Sequence, residues 1–167
     1  MIRPPLSFAR LLTAAALIAC ASPLSAAEFV LGLGIDDVRN SGDFPALAAE
    51  VRAEPRWHFG QASLGFGMAG EIDVDGDVWG GAGLVLLVPI VPDWRFEASF
   101  MPGLYSQGSG GTDLGASAPI MRTQIGVSYL MASGWQVGAA FNHKSNGGTA
   151  SHNPGVETLL LTFGRSF

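Results

Sequence analysis

The chain has 167 residues, 48% of them hydrophobic and 14% charged, with 23 glycines and one cysteine. Two of the nine basic residues fall in the first 27 positions and seven follow, against fourteen acidic residues that all follow, so the chain after residue 27 carries a net charge of 7 − 14 = −7. That balance excludes a nucleic-acid partner, and no later apolar run approaches the roughly 20 residues of a membrane-spanning helix.

Residues 1–27 read as a secretory signal. Arg3 and Arg10 supply positive charge, Leu11 to Ala19 an apolar core, and Ser25-Ala26-Ala27 a small-residue cleavage site before Glu28. Leu17-Ile18-Ala19-Cys20 also fits a lipoprotein signal with Cys20 acylated, an alternative that the later cleavage site disfavours. The exported chain, 28–167, then has no cysteine, and a closed sheet needs no disulfide.

Eight segments alternate with period two. The first carries Phe29, Leu31, Leu33 and Ile35. The second sets Leu47, Ala49 and Val51 against Glu50, Arg52 and Glu54, and the third sets Leu64, Phe66 and Met68 against small residues. The fourth, Trp79 to Val88, is apolar or glycine on both faces and has no clear phase. The fifth sets Trp94, Phe96, Ala98 and Phe100 against Arg95 and Glu97. The sixth sets Ile125, Val127 and Tyr129 against Arg122 and Gln124. The seventh runs Trp135, Val137, Ala139, Phe141, His143, Ser145 on one face. The eighth runs Glu157, Leu159, Leu161, Phe163, Arg165, Phe167.

A soluble barrel would also alternate, with its apolar face inward. Here the polar set is glycine-rich and holds charges of both signs (Glu50, Arg52, Glu54, Arg95, Glu97, Arg122), as suits a narrow lumen filled by paired charges. Trp79, Trp94, Tyr129 and Trp135 sit near segment ends, where an aromatic girdle belongs. Short turns (Pro55–Gly60, Pro89–Asp93, Ala132–Gly134) alternate with longer connections (Arg39–Pro45, Glu71–Val78, Ser106–Ala118, Asn146–Gly155). The fold class is therefore all-β, an eight-stranded antiparallel transmembrane β-barrel in the outer membrane, with both termini in the periplasm.

The chemistry concentrates in His143-Lys144-Ser145-Asn146-Gly147-Gly148 and the following Asn153-Pro154-Gly155-Val156-Glu157. On a strand, His143 and Ser145 share one face about 7 Å apart, and an antiparallel return can bring Glu157 beside the histidine. Nucleophile, general base and orienting carboxylate are then available on one surface. Parity places all three on the apolar, lipid-facing set, where a carboxylate and an imidazole are expensive. From the residues alone, strand ends rising among lipid headgroups account for them equally well. The favoured register sets His143 opposite Glu157, hence Phe141 beside Leu159, Ala139 beside Leu161, Val137 beside Phe163 and Trp135 beside Arg165; a shift of two residues would keep the faces and leave Glu157 diagonal to the histidine.

The stretch His143-x-Ser145-Asn146-Gly147, followed by Asn153-x-Gly155-x-Glu157, resembles the lipid A 3-O-deacylase family, PagL. The motif covers about fifteen residues; size, strand count and the terminal Phe167 extend the likeness over the exported chain. The resemblance implies an ester hydrolase that removes the 3-position acyl chain of lipid A with no metal or cofactor. It implies Ser145 as nucleophile, His143 as base and Glu157 as orienter. Asn146 with backbone N–H groups of Gly147 and Gly148 would form the oxyanion hole, with Asn153 as a further site residue. Lipopolysaccharide, outer-membrane lipids and the barrel assembly machinery, which reads the terminal Phe, are the implied partners. A homodimer and the acyl-length preference stay open, and Lys144 is given no role.

Other candidates are weaker. Asp73-Val74-Asp75-Gly76-Asp77 suggests calcium, but Val78 stands where a calcium loop has its glycine and no later bidentate glutamate follows, so the stretch reads as an acidic external loop. His152 is out of phase with Ser145, His58 falls in a periplasmic turn, and Gly80-Gly81-Ala82-Gly83 has no helix to cradle phosphate. Eight strands leave no open pore. The alternative to an esterase is a non-catalytic barrel, an adhesin or structural protein.

Overall fold

The computed structural model describes residues 26–39, 44–110, 112–115 and 119–167. The signal-like segment lies outside them, Cys20 included, except that Ala26 and Ala27 already belong to the first strand. The strands are β1 Ala26–Asp36, β2 Phe44–Ala53, β3 Trp57–Phe59, β4 Ala62–Asp73, β5 Val78–Val91, β6 Trp94–Ser106, β7 Ile120–Leu130, β8 Trp135–Ser145 and β9 Val156–Ser166. All pairings are antiparallel. β1 pairs both β2 and β9, and β2 pairs β4, which closes eight strands into a ring. β3 pairs only β4, outside the ring. The segment read as the turn Pro55–Gly60 therefore contains a short strand, and His58 sits exposed on it. Trp57 packs edge-on against Phe66 there, at 5.5 Å between ring centroids.

Closure leaves no sheet edge, so the alternation of each strand becomes a division between lumen and outer surface. Leu33, Leu47, Phe66, Phe100, Ile125, Phe141, Leu161 and Phe163 are exposed, as lipid-facing residues must be. Their odd or even neighbours are buried. Trp94 stacks obliquely on Tyr129 at 5.5 Å, and Trp135 stacks on Phe163 at 4.8 Å. These aromatics form a girdle at the end of the barrel that carries the short turns.

The lumen is filled by charge. At the turn end, Arg52 reaches Glu28 (3.2 Å), Glu50 (2.7 Å) and Glu97 (2.8 Å). Arg95 binds Glu28 (2.6 Å), Glu97 (2.8 Å) and Gln136 (2.6 Å). Arg122 links this group upward, to Glu50 at 3.2 Å and Glu71 at 3.6 Å. At the loop end, Lys144 pairs with Asp36 (2.9 Å) and Glu71, while Thr158 (2.9 Å) and Asn142 (3.0 Å) donate to Glu71. A buried charge without a partner is costly, and these are partnered.

Two expectations fail. Glu54 does not enter the lumen: β2 ends at Ala53, and Glu54 is exposed at the rim. Trp79 does not join the girdle. It is 2% exposed inside the loop end, its Nε1 donating to Ile120 O (3.0 Å) and the Arg122 guanidinium lying 5.4 Å from its ring centre. Glycine makes the room: a Cβ on Gly81 would lie 2.6 Å from Trp79 Cζ2. This fixes the phase of β5, with Trp79 and Val85 inward and Leu84 outward. Lys144, passed over in the sequence, is buried at the centre of the upper cluster.

Arg52→Met leaves three carboxylates short of a cation and should destabilise the barrel by about 3–5 kcal/mol. Urea unfolding in detergent micelles measures it. A loss below about 1 kcal/mol, the scale of an exposed pair, would mean the lumen network carries little of the stability.

Candidate active site

The β8–β9 hairpin carries the site. His143 pairs directly with Glu157, with Phe141 beside Leu159, Ala139 beside Leu161, Val137 beside Phe163 and Trp135 beside Arg165. The register is the one that parity favours. At its turn end the Arg165 guanidinium lies 5.0 Å from the Trp135 ring centre. At its loop end, directly opposed side chains are close enough to touch, and His143 Nδ1 lies 3.1 Å from Glu157 Oε1. A carboxylate only accepts, so this contact places the imidazole proton on Nδ1 and leaves Nε2 as the basic nitrogen. The His143 side chain is 44% exposed and that of Glu157 only 7%, so the imidazole is reachable while the carboxylate is covered.

Ser145 ends β8 two residues beyond His143, at the same parity, opposite Met121 of β7. Among the described residues no hydrogen bond joins Ser145 Oγ to His143. Such contacts often tighten only with substrate bound.

Asn146 breaks the strand and organises the loop. It is fully buried. Its Nδ2 donates to Leu114 O (3.3 Å) and His152 O (2.6 Å), and its Oδ1 accepts from Gly148 N (2.9 Å). Its backbone N–H donates to Asn153 Oδ1 at 3.1 Å. Its carbonyl takes Thr149 N (3.1 Å) and Oγ1 (2.7 Å). Asn146 thus ties its own loop to the β6–β7 loop, with Asn153 as a strut and His152 contributing a carbonyl from an exposed position. Gly147 N–H has no partner among the described residues.

Two neighbours of the pair carry no signal in the strand pattern. Arg39, from the connection after β1, places Nη1 3.0 Å from Glu157 Oε1, the same oxygen that faces His143. The backbone anchors it there, because Val38 N–H donates to Glu157 O at 3.1 Å. Gly155 lies against the imidazole. It has φ +71°, and a Cβ on it would come 2.6 Å from His143 Cε1. The sequence shows this glycine as part of a motif; only the fold shows that the space is needed by the ring.

The carboxylates of Asp73, Asp75 and Asp77 also gather, with one oxygen of each within 4.8 Å of the others. Much of their capacity is spent on the β4–β5 turn. Asp73 Oδ1 accepts from Gly76 N (3.1 Å) and Asp77 N (2.9 Å), and Asp77 accepts from Tyr105 Oη at 2.7 Å. Burial pushes the Asp77 carboxyl above its ordinary range, against the Gly108 N–H and Tyr105 hydroxyl that pull it down; Asp75 adds to the rise.

Residues 46–166 match the family model described as lipid A 3-O-deacylase (PagL). The chain belongs to the lipid A 3-O-deacylase family. A search of curated proteins finds no significant match. Among solved structures, the barrel is similar to the crystal structure of the outer membrane enzyme PagL, with TM-score 0.69 and 18% identity, covering 84% of this chain and 100% of that one. It also resembles a de novo designed transmembrane β-barrel, with TM-score 0.53 and 6% identity, covering 86% and 98% of the two chains. At such identities these likenesses speak to the fold; the family match speaks to the activity. The chain is thus an outer-membrane β-barrel of a lipid A deacylase family, and the hydrolase class follows from the family.

Gly155→Ala should leave a folded, heat-modifiable barrel but push the imidazole off Glu157. A displacement of about 1 Å can cost on the order of 100-fold in rate. Lipid A deacylation by the purified variant measures the loss, and wild-type activity would show that the ring tolerates the added methyl.

Proposed function

We propose that this protein hydrolyses the ester-linked 3-position acyl chain of lipid A, using Ser145, His143 and Glu157 on the lipid-facing surface of the barrel. The observation that carries the reading is the His143 Nδ1–Glu157 Oε1 contact of 3.1 Å, on paired strands, with Ser145 next along the same face. Phe141 and Leu159, the adjacent outward pair, are 40% and 53% exposed. That apolar surface suits a substrate that arrives sideways from the outer leaflet.

Ser145 Oγ attacks the ester carbonyl while His143 Nε2 takes its proton. Glu157 holds the ring by Nδ1–H and stabilises the imidazolium. The tetrahedral intermediate collapses, the sugar oxygen leaves with the proton from Nε2, and the acyl group stays on Ser145. Water, deprotonated by His143, then attacks the acyl-enzyme and releases the 3-hydroxy acid, and the proton returns to Ser145. For the oxyanion we assign Gly147 N–H as a donor, because it is unengaged among the described residues. The family likeness also points to Asn146 and Gly148. Both Asn146 Nδ2 protons and the Gly148 N–H bind loop oxygens here, so we give these two the role of shaping the loop that presents Gly147.

Ser145→Ala and His143→Ala should each lower deacylation by roughly 10³-fold or more while the barrel still folds. Glu157→Gln, which keeps the size but loses the charge, should cost roughly 10²–10⁴-fold. Mass spectrometry of lipid A reads the loss of one 3-hydroxyacyl chain. Full activity in Ser145→Ala would remove the serine mechanism.

A further inference from the structure

We propose that Arg39 anchors a phosphate group of the lipid substrate and so registers the ester over Ser145. The inference rests on the deacylase reading and adds to it the group that holds the headgroup.

Charge placement is the first argument. Of the seven lysine and arginine residues after residue 27, Arg52, Arg95, Arg122 and Lys144 are buried in the lumen. Arg56 follows β2 and Arg165 lies beside Trp135, both at the turn end. Arg39 alone stands outside the lumen at the loop end. That end is otherwise acidic, with Asp73, Asp75, Asp77, Asp113 and Glu157. A phosphorylated lipid approaching this rim meets carboxylates on the β4–β5 and β6–β7 connections and a guanidinium beside Glu157, which is also where the reaction is placed.

Geometry is the second. The Arg39 side chain is 75% exposed, and one nitrogen, Nη1, contacts Glu157 at 3.0 Å. The rest of its guanidinium fork has no partner among the described residues. Arginine is suited to bidentate phosphate binding in this state. The contact with Glu157 orients the fork from below, and the Val38 N–H to Glu157 O bond fixes its root. Arg39 can therefore keep its carboxylate contact and bind an anion with its outer edge.

The test compares lipid A carrying its phosphates with the same lipid dephosphorylated, in detergent micelles, against wild type, Arg39→Gln and Arg39→Lys. Arg39→Gln should raise KM for the phosphorylated lipid roughly five- to tenfold, the scale of one exposed charge-assisted contact. KM for the dephosphorylated lipid should not move, and any loss of kcat that passes through Glu157 should fall equally on the two lipids. Arg39→Lys, which keeps the charge without the fork, should recover part of the KM. An equal rise in KM on both lipids, or a loss in kcat alone, would mean that Arg39 merely holds Glu157, and would overturn the proposal. Binding of the two lipids to Ser145→Ala barrels, with and without Arg39→Gln, separates this from the deacylase reading. Discrimination by phosphate that disappears with Arg39 supports the anchor even where no hydrolysis is seen, and equal binding of both lipids defeats it.

Discussion

A closed sheet gives every side chain one of two surroundings, and the pleat decides which. In this barrel the ring closes through β1 and β9, so no strand of the ring has a free edge at which register could slip. A one-residue shift between β8 and β9 would turn Leu159, Leu161 and Phe163 into the lumen and Thr158 and Leu160 into lipid. The hydrophobic cost of that exchange keeps His143 and Glu157 on one face; a two-residue shift would keep the faces too, so the exact pairing of His143 with Glu157 is set beyond the alternation. The shared face of histidine and carboxylate is thus a product of apolar patterning, and their direct opposition brings the side chains within hydrogen-bond reach.

The lumen network holds the scaffold on which this works. Among the described residues, five buried acids (Glu28, Asp36, Glu50, Glu71, Glu97) interlock with four buried bases (Arg52, Arg95, Arg122, Lys144). Such pairs give little net stability compared with an apolar core, but each fixes the positions of strands far apart in sequence. Lys144 matters most for the site. It lies between His143 and Ser145 in sequence and points the opposite way, pinned to Asp36 of β1 and Glu71 of β4. Its burial ties the end of β8 inward, and the alternation then presents its two neighbours outward.

What the sequence made legible was what depends on period two. The number of strands in the ring, the faces of seven of them and the shared face of His143 and Glu157 follow from alternation that lipid and lumen both enforce, whereas β3 lay in a segment that reads as a turn. β5 escaped because its inward residues are as apolar as its outward ones; Trp79 fills the lumen where glycines leave space, a matter of volume that hydropathy does not encode. Glu54 escaped because alternation continues on paper beyond the point where the strand stops. The site was half legible. His143, Ser145 and Glu157 lie on regular strands, whereas Arg39 reaches them from a connection with no period. The contact of Gly155 with the imidazole depends on loop closure. Asn146 shows the remaining difficulty: a motif identifies it, but its donors can be counted only once the loop carbonyls that use them are in place.

The position of the site along the strands has its own physical reason. A carboxylate and an imidazole on the outer surface near mid-barrel would face hydrocarbon, where charged groups cost several kcal/mol at the midplane and little near the interface. His143, Ser145 and Glu157 occupy the last turn of the pleat before the loops, where β8 gives way to Asn146 and β9 begins at Val156. There the acyl chain of a lipid can remain beside Phe141 and Leu159 while its ester stands at the level of the polar groups. Glu157 needs help even so. It is covered on the outward side by His143 and Arg39, which both contact its Oε1. The residue that shields the carboxylate from the membrane is the one cation that can receive a headgroup. Cover for Glu157 and the proposed headgroup contact therefore draw on the same side chain.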